Sequence, residues 1–241
     1  MASETKISIP LLIPQTDGNE ERYLRKCIET NFVSSVGPFV DELEQKLAET
    51  LPESWAVATS SGTAALHLAL VALGVSRDDL VIVPSYSFIA TANAISYTGA
   101  SPWFVDIEPN EWTMDPERLN RLLREEVSRV DGVLRHKVSG RRVAAILPVD
   151  TLGIPVRLDA LSEIAYEYAL PLVVDSAAAL GGSIEKPSRN MPNLLRTFSF
   201  NGNKSFTCGG GGAVVGTDAE LSNLLKHLST TARSSKAYEF D

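Results

Sequence analysis

Short apolar runs alternate along the chain with longer segments that combine apolar and polar residues. The runs read WAVAT, LVIVPSY, PWFVDI, VAAILPVD and PLVVDSA. The segments between them read GTAALHLALVALG, FIATANAISY, PERLNRLLREEV and LDALSEIAYEY, and they are typical of helices. Strands that are apolar along their whole length belong to parallel sheets covered on both faces. The pattern therefore predicts an α/β domain with a mostly parallel, mixed central sheet and helices on both faces.

The two ends of the chain have different patterns. Residues 1–18 are predicted to form an irregular N-terminal arm that ends at a helix N-cap, Asp17, with Glu20 three residues later. Two amphipathic helices should follow, and the second carries apolar residues at steps of three and four: Val40, Leu43, Leu47 and Leu51. Near the other end, GGGGAVVGT predicts a hairpin, and a helix should run from about residue 218 to 228. We therefore expect one large domain over residues 19–241.

Composition disfavours several classes of protein. With 241 residues and 44% hydrophobic content, the chain is long enough for one large domain with its own core. No apolar run approaches the roughly 18 residues that span a bilayer, and MASETKISIP lacks the pattern of a secretory signal. Cys27 and Cys208 are too far apart in sequence to suggest a disulfide framework or a metal site, which favours a cytoplasmic location. The net charge of −8, without a basic stripe, argues against nucleic acid as a partner, and we expect no membrane partner.

Candidate binding residues follow the predicted strands, because ligands of open α/β sheets bind beyond the carboxyl ends of the strands. After WAVAT, Ser61, Gly62 and Thr63 lead into a helix. Small residues at such a turn expose backbone N–H groups at the positive end of the helix dipole, which suits a phosphate group. The alternative to a phosphate site is that these residues form an ordinary N-cap turn without a ligand. After LVIVP, the aromatic Phe88 either stacks on a planar ring or belongs to the core.

Two charged residues are candidates for chemistry. Asp175 ends the run PLVV, where a buried carboxylate needs a cation or a strong donor, although a helix N-cap is the alternative. The same alternatives apply to Asp106 and Asp150, for which the N-cap is favoured. Lys204 lies between small polar residues and four glycines. A lysine amine whose pKa is lowered forms a Schiff base with a carbonyl, although a surface lysine is the commoner role.

The combination of these residues is more specific than any one of them. Pyridoxal 5′-phosphate needs a phosphate site, an aromatic residue to stack on its ring, a lysine for its aldehyde and a carboxylate that keeps its pyridine nitrogen protonated. The chain offers a candidate for each requirement, and the glycines after Lys204 let the backbone pass close to a cofactor. We therefore expect pyridoxal phosphate as the cofactor.

Four motifs resemble the DegT/StrS nucleotide-sugar aminotransferases, which are fold-type I pyridoxal-phosphate enzymes. They read SSGTAALHLAL, VPSYSFIATANAISYTGASPWFVDI, VVDSAAALG and FSFNGNKSFTCGGGG. The stretches NFVSSVGPFVDELEQKLAE and NGNK are similar to the LegC-type branch, which aminates UDP-linked 4-keto-6-deoxy sugars. The resemblance implies a fold-type I large domain and a homodimer. It also implies amino transfer from glutamate to a nucleotide-linked 4-keto-6-deoxy sugar in the synthesis of surface polysaccharide precursors.

The resemblance also implies a role for each candidate residue. Lys204 would form the Schiff base and then move a proton, and Asp175 would pair with the pyridinium nitrogen. Phe88 would stack on the ring, and the phosphate would be held by Ser61, Gly62, Thr63 and Ser199. Related sugar dehydratases have histidine in place of the lysine, so Lys204 favours transamination over dehydration.

The sequence departs from the family pattern in four places. Ala178 stands where Gln, Glu or His is usual, Asp150 stands where His is usual, and SIEKPSRNMPNLLR lacks the usual GxxGD. The chain ends at Asp241, before the expected GYNYRM segment, so we expect the small C-terminal domain to be absent. A noncatalytic or weakly active truncated homologue is therefore the main alternative, and a sugar dehydratase is another. A dinucleotide-dependent oxidoreductase is disfavoured because no GxGxxG follows the first strand.

Overall fold

A mixed seven-stranded sheet forms the centre of the computed structural model, which describes residues 13–232 apart from 15, 188 and 192. The strands are β1 (Trp55–Thr59), β2 (Leu80–Pro84), β3 (Ser101–Val105), β4 (Val127–Val130), β5 (Val133–His136), β6 (Val143–Ile146), β7 (Leu172–Asp175), β8 (Leu194–Ser199) and β9 (Gly212–Gly216). The sheet order is β1-β9-β8-β7-β6-β2-β3, while β4 and β5 form a separate hairpin. Strand β9 is antiparallel to both of its neighbours, and the other pairs in the sheet are parallel. The predicted α/β class with a mostly parallel, mixed sheet is confirmed.

Helices cover both faces of this sheet, as predicted. They are α1 (Glu20–Glu29), α2 (Pro38–Thr50), α3 (Gly62–Ala72), α4 (Ile89–Tyr97), α5 (Pro116–Glu126), α6 (Leu158–Tyr168) and α7 (Ala219–Ser229). Side chains alternate between faces along each strand, so Val173 and Val174 of β7 belong to different core clusters. The cluster of Val173 packs with α3, α4 and α7, and that of Val174 packs with α5 and α6. Helix α2 packs beside β1 and β9 in a third cluster.

Two predictions about helix ends have different outcomes. Helix α7 begins just after Asp218, whose carboxylate accepts the N–H of Leu221 at 2.9 Å, so the predicted start is confirmed. The predicted N-cap at Asp17 is wrong. Helix α1 has Asn19 at its N-cap, and the carboxylate of Glu20 reaches back to the N–H of Gly18. Most of the predicted arm, residues 1–12 and 15, lies outside the described residues.

Two elements were missed by the hydrophobic pattern. Strand β8 is buried along most of its length. The charged Arg196 interrupts its apolar run, so the hydrophobic pattern did not predict a strand there. The hairpin of β4 and β5 turns at Asp131 and Gly132, which have φ values of 50° and 78°. Asp-Gly is a strong signal for such a two-residue turn, because both central residues need a positive φ. None of the helices in the described part of the chain is long and apolar enough to cross a bilayer.

Candidate cofactor site

The predicted site residues come together at one edge of the sheet. Strands β1, β2, β7 and β8 all end at this edge, and β9 begins there, because Gly212 pairs with both Thr59 and Ser199. The turn after β1, the loop after β2, the end of β7 and the loop between β8 and β9 therefore meet. These four places hold all the predicted site residues: Ser61, Gly62, Thr63, Phe88, Asp175, Ser199 and Lys204.

The start of α3 forms a tight cradle. Ser61 is the N-cap, and its hydroxyl oxygen accepts the N–H of Ala64 at 3.1 Å. A Cβ atom on Gly62 would lie 2.7 Å from the Cβ of Ser199, and one on Gly212 would lie 2.7 Å from the nitrogen of Gly62. Only glycine fits at these positions, which brings the hydroxyl of Ser199 close to the helix start. The first N–H groups of a helix have no partner within it, so those of α3 before Ala64, whose N–H is bonded to Ser61, can face an anion.

Asp175 is a buried acid at the end of β7, with 4% of its surface exposed. Its Oδ2 accepts the hydroxyl of Thr91 at 2.8 Å, and its Oδ1 accepts the N–H of Ala177 at 3.1 Å. Burial raises the pKa of the Asp175 carboxyl above its ordinary value, and these two hydrogen bonds with the charge of Lys204 offset part of that rise. Residues 177–180 form a turn, so the alternative that Asp175 caps a helix is wrong.

Lys204 lies in the loop between β8 and β9, on the same side of the molecule as Asp175. Strands β7 and β8 are parallel neighbours, so Asp175 and the loop after β8 lie at the same edge of the sheet, and the charge of Lys204 lowers the pKa of Asp175. The N–H of Lys204 donates to the carbonyl of Asn201 at 2.9 Å, and the N–H of Cys208 returns to the carbonyl of Phe200 at 3.0 Å. These bonds fold the loop back on itself. No ion pair among the described residues includes the Lys204 amine.

Phe88 is not part of the core, so the core alternative for this residue is wrong. It stands at the N-cap of α4 with 75% of its surface exposed. Thr91, three residues later on the same helix, donates to Asp175. Helix α4 therefore links the exposed aromatic ring to the buried carboxylate. The hydroxyl of Thr91 was not predicted, although its three-residue spacing from Phe88 could have suggested it.

The N-cap interpretation of Asp106 and Asp150 is also wrong. Asp106 is exposed and pairs with Arg118 at 2.9 Å. Asp150 is 3% exposed and makes no capping bond to the short 3-10 turn that follows it. Its Oδ2 accepts hydrogen bonds from Ser176 and Arg196, and its Oδ1 accepts the N–H of Val156 at 2.9 Å. A charged residue inside a buried strand needs a partner, so Arg196 in the sequence already indicated a buried acid nearby.

The arrangement fits pyridoxal phosphate. The cradle that a Cβ would fill suits a phosphate, and the buried carboxylate of Asp175 suits a protonated ring nitrogen. Lys204 follows β8 at the same edge of the sheet and its charge lowers the pKa of Asp175, which suits an aldehyde at the other end of the ring. The site therefore matches three of the four chemical requirements of the cofactor, and the exposed ring of Phe88 is the candidate for the fourth.

Comparison with known proteins adds to this geometry. The DegT/DnrJ/EryC1/StrS aminotransferase family matches residues 14–240. The GDP-perosamine synthase of Caulobacter vibrioides is 36% identical over 220 residues, which are 91% of this chain and 55% of that enzyme. This chain spans about half the length of the curated relatives it matches, between 50% and 59%.

Two solved structures share the fold. The crystal structure of 3-amino-5-hydroxybenzoic acid synthase is 28% identical and has a TM-score of 0.81, over 97% of this chain and 58% of that one. A Streptococcus pneumoniae structure in its PLP form is 25% identical and has a TM-score of 0.78, over 98% of this chain and 61% of that one. The predicted fold-type I large domain is confirmed.

Proposed function

We infer the function of this chain from one premise: it belongs to the DegT/DnrJ/EryC1/StrS aminotransferase family. Enzymes of this family depend on pyridoxal phosphate. We propose that the protein uses this cofactor to transfer an amino group from glutamate to a nucleotide-linked 4-keto-6-deoxy sugar, for surface polysaccharide precursors. Residues 19–241 act as the cofactor-binding large domain in this proposal. The name of the Caulobacter relative, a GDP-perosamine synthase, supports a nucleotide-linked sugar as the substrate.

The observation that carries the proposal concerns buried acids. Four acidic residues in the described part of the chain are buried, and three of them contact an arginine: Glu53, Asp79 and Asp150. Asp175 is the fourth, and no ion pair among the described residues includes it. A buried carboxylate without a bonded cation is costly unless a ligand supplies one. The protonated nitrogen of the cofactor ring is a cation of this kind.

Each site residue then has a task. Pyridoxal phosphate, when bound, supplies an aldehyde that captures amines and a protonated ring that stabilises negative charge. The phosphate would be bound by Ser61, Gly62, Thr63 and Ser199, where α3 begins and β8 ends. Asp175 would accept a hydrogen bond from the protonated ring nitrogen, and Phe88 would pack against the ring. Lys204 Nζ would bind the aldehyde and would move a proton during transfer.

We also propose a cytoplasmic homodimer. Large apolar side chains are exposed at or near the edge of the sheet that carries the site, and Phe88, Ile89 and Leu152 are each more than 60% exposed. Apolar groups this exposed favour a covering partner, and a second copy of the chain is the usual one. Light scattering at micromolar concentration tests the dimer, and a monomeric mass contradicts it.

A Lys204→Ala substitution tests the proposed function. The parent protein mixed with pyridoxal phosphate should develop the visible absorption band of a lysine-bound cofactor, and the variant should not. The matched control is Lys46→Ala, which removes an exposed lysine of α2 that pairs with Glu42. Amino transfer is then measured by mass spectrometry with glutamate and a 4-keto-6-deoxy nucleotide sugar. A parent protein without the band contradicts the proposal.

A noncatalytic homologue is the second candidate, because Ala178 lies in the turn after Asp175 where the resemblance implies a polar side chain. It predicts the absorption band without amino transfer. Loss of water from the sugar, without transfer, would instead identify a dehydratase. The two measurements together separate the three activities.

A further inference from the structure

Arg196 is a fully buried arginine in the middle of β8, with 3% of its surface exposed. Its Nε donates to Glu53 Oε1 at 3.1 Å, and its Nη2 donates to the carbonyl of Glu185 at 3.0 Å. Its Nη1 donates to Ser176 Oγ at 3.1 Å and to Asp150 Oδ2 at 3.3 Å. The planar guanidinium places these donors in one rigid fork, which lysine cannot reproduce. Apolar residues of similar volume often give equal or better stability than such a network, so a role beyond stability deserves a test.

The network of Arg196 ends at Asp175. Asp150 Oδ2 accepts the hydroxyl of Ser176 at 2.5 Å, and the N–H of Asp150 donates to the carbonyl of Asp175 at 2.9 Å. The N–H of Asp175 donates to the carbonyl of Pro148 at 2.9 Å. The carbonyl of Asp175 is therefore bonded to Asp150, and the next residue, Ser176, is bonded to both Asp150 and Arg196.

We propose that Arg196 is a positioning residue for Asp175: it holds Asp150 and Ser176 in place and offsets the negative charge of Asp150 beside the Asp175 carboxylate. This inference deepens the proposed function and rests on it, because the task of Asp175 is to hold a protonated ring nitrogen.

The electrostatics of the site support the proposal. The negative charge of Asp150 raises the pKa of Asp175, in addition to the larger effect of burial. The other groups that act on Asp175 are the Lys204 charge, the Thr91 hydroxyl and the Ala177 N–H, which all lower that pKa. An Asp150 without Arg196 would act on Asp175 as an uncompensated like charge. The pKa of Asp175 would then rise, and less of its carboxyl would be ionised at neutral pH. Only the ionised carboxylate can hold the proton on the ring nitrogen.

The test measures the pKa of Asp175 directly in the protein without cofactor. Carbon-13 NMR of the side-chain carboxyl gives this pKa, and the Asp175→Asn variant identifies the signal by its loss. Asp150→Asn should lower the pKa because a like charge is removed. Arg196→Met should raise it because the charge of Asp150 is left uncompensated. The double variant removes both charges and should return the pKa towards the parent value.

Arg142→Met is the matched control. Arg142 pairs with the buried Asp79, and that pair lies at the opposite edge of the sheet, before β2 and β6. The Arg142→Met variant should therefore leave the pKa of Asp175 unchanged. If Arg196→Met does not fold, Asp150→Asn and the double variant still test the proposal. The pKa of Asp175 should differ between these two variants only if the charge of Arg196 acts on it. A pKa that is the same in the parent, in Asp150→Asn and in the double variant overturns the proposal.

Cofactor binding gives a second readout. Arg196→Met should raise the dissociation constant of pyridoxal phosphate about tenfold or more, as loss of an outer partner does at metal sites. The double variant should recover most of this loss. Unchanged binding in Arg196→Met overturns the proposal. If the parent itself does not bind the cofactor, the proposed function fails, while the NMR comparison still decides the effect of Arg196 on Asp175.

Discussion

A Thr91→Val substitution removes one hydroxyl from the site with little change in side-chain volume. Thr91 is fully buried, and its hydroxyl donates to Asp175 Oδ2 at 2.8 Å. A hydrogen bond to a charged group contributes about 1.5–3 kcal/mol. We therefore expect the variant to lose about 1.5–3 kcal/mol of unfolding free energy at neutral pH. The bond is already present without the cofactor, so affinity should fall only because the variant leaves more of the Asp175 carboxyl protonated at the pH of the assay.

Thr113→Val is the matched control for this substitution. Thr113 is also fully buried, but its hydroxyl has no hydrogen-bond partner among the described residues. A buried hydroxyl without a partner costs about 1–3 kcal/mol, so the control should be as stable as the parent or more stable. Urea unfolding measures both variants, and titration with pyridoxal phosphate followed by absorbance measures affinity. Equal stability and affinity in the two variants would refute the reasoning.

The effect of Thr91→Val should also depend on pH. The hydroxyl stabilises the ionised carboxylate, so removing it raises the pKa of Asp175 further. The parent therefore binds fewer protons than the variant between the two folded pKa values, and its advantage in stability grows with pH across that interval. Above the interval the difference is complete, and below it the difference disappears. A difference that does not change with pH would mean that Thr91 acts through packing and not through the charge of Asp175.

Three further substitutions test other parts of the structure. Gly62→Ala places a Cβ 2.7 Å from that of Ser199, so it should cost about 1–3 kcal/mol in urea unfolding and weaken cofactor binding. Phe88→Ala removes an exposed ring, so it should change stability by no more than about 0.5 kcal/mol while cofactor affinity falls in absorbance titration. Burial would raise the pKa of Asp79, but bonds from Arg142 and Ser76 outweigh burial and lower it. Asp79→Asn should therefore destabilise the protein above the unfolded pKa of an aspartate and lose this effect as pH falls through the folded pKa.

The sequence predicted the parts of the fold that depend on local pattern. Runs such as LVIVP and PLVV are apolar throughout, and they became the buried strands β2 and β7. Strand β8 could not be recognised in this way, because Arg196 stands where an apolar residue was expected. The burial of Arg196 depends on Glu53 and Asp150, which lie 143 and 46 residues away in sequence. Pairing over such distances leaves no periodic signal.

The candidate site was predictable for a related reason. Asp175 and the residues after β1 and β2 end or follow predicted strands, and topology alone brings the ends of parallel strands to one edge. Lys204 was recognised from its glycine-rich surroundings and Ser199 from the family resemblance, because β8 was not predicted.

The chemistry around Asp175 was less predictable. The contact of Thr91 with this carboxylate joins residues 84 apart, through a helix whose rotation relative to the sheet the sequence does not specify. The N-cap preference at Asp106 and Asp150 failed because both carboxylates pair with arginines, and the one backbone N–H that Asp150 accepts belongs to Val156, outside the turn that follows it.

The departure at position 150 acquires a different meaning in the structure. An aspartate where the resemblance implies a histidine would, taken alone, place a second negative charge beside Asp175 and weaken the site. The same chain also has Arg196, whose guanidinium contacts that aspartate inside the sheet. Arg196 also pairs with Glu53, but Asp150 has no other cationic partner among the described residues and would be an unpaired buried charge without Arg196. Removing one partner of such a buried pair costs about 3–5 kcal/mol. Asp150 is thus one half of a compensated pair and gives no support to an inactive homologue.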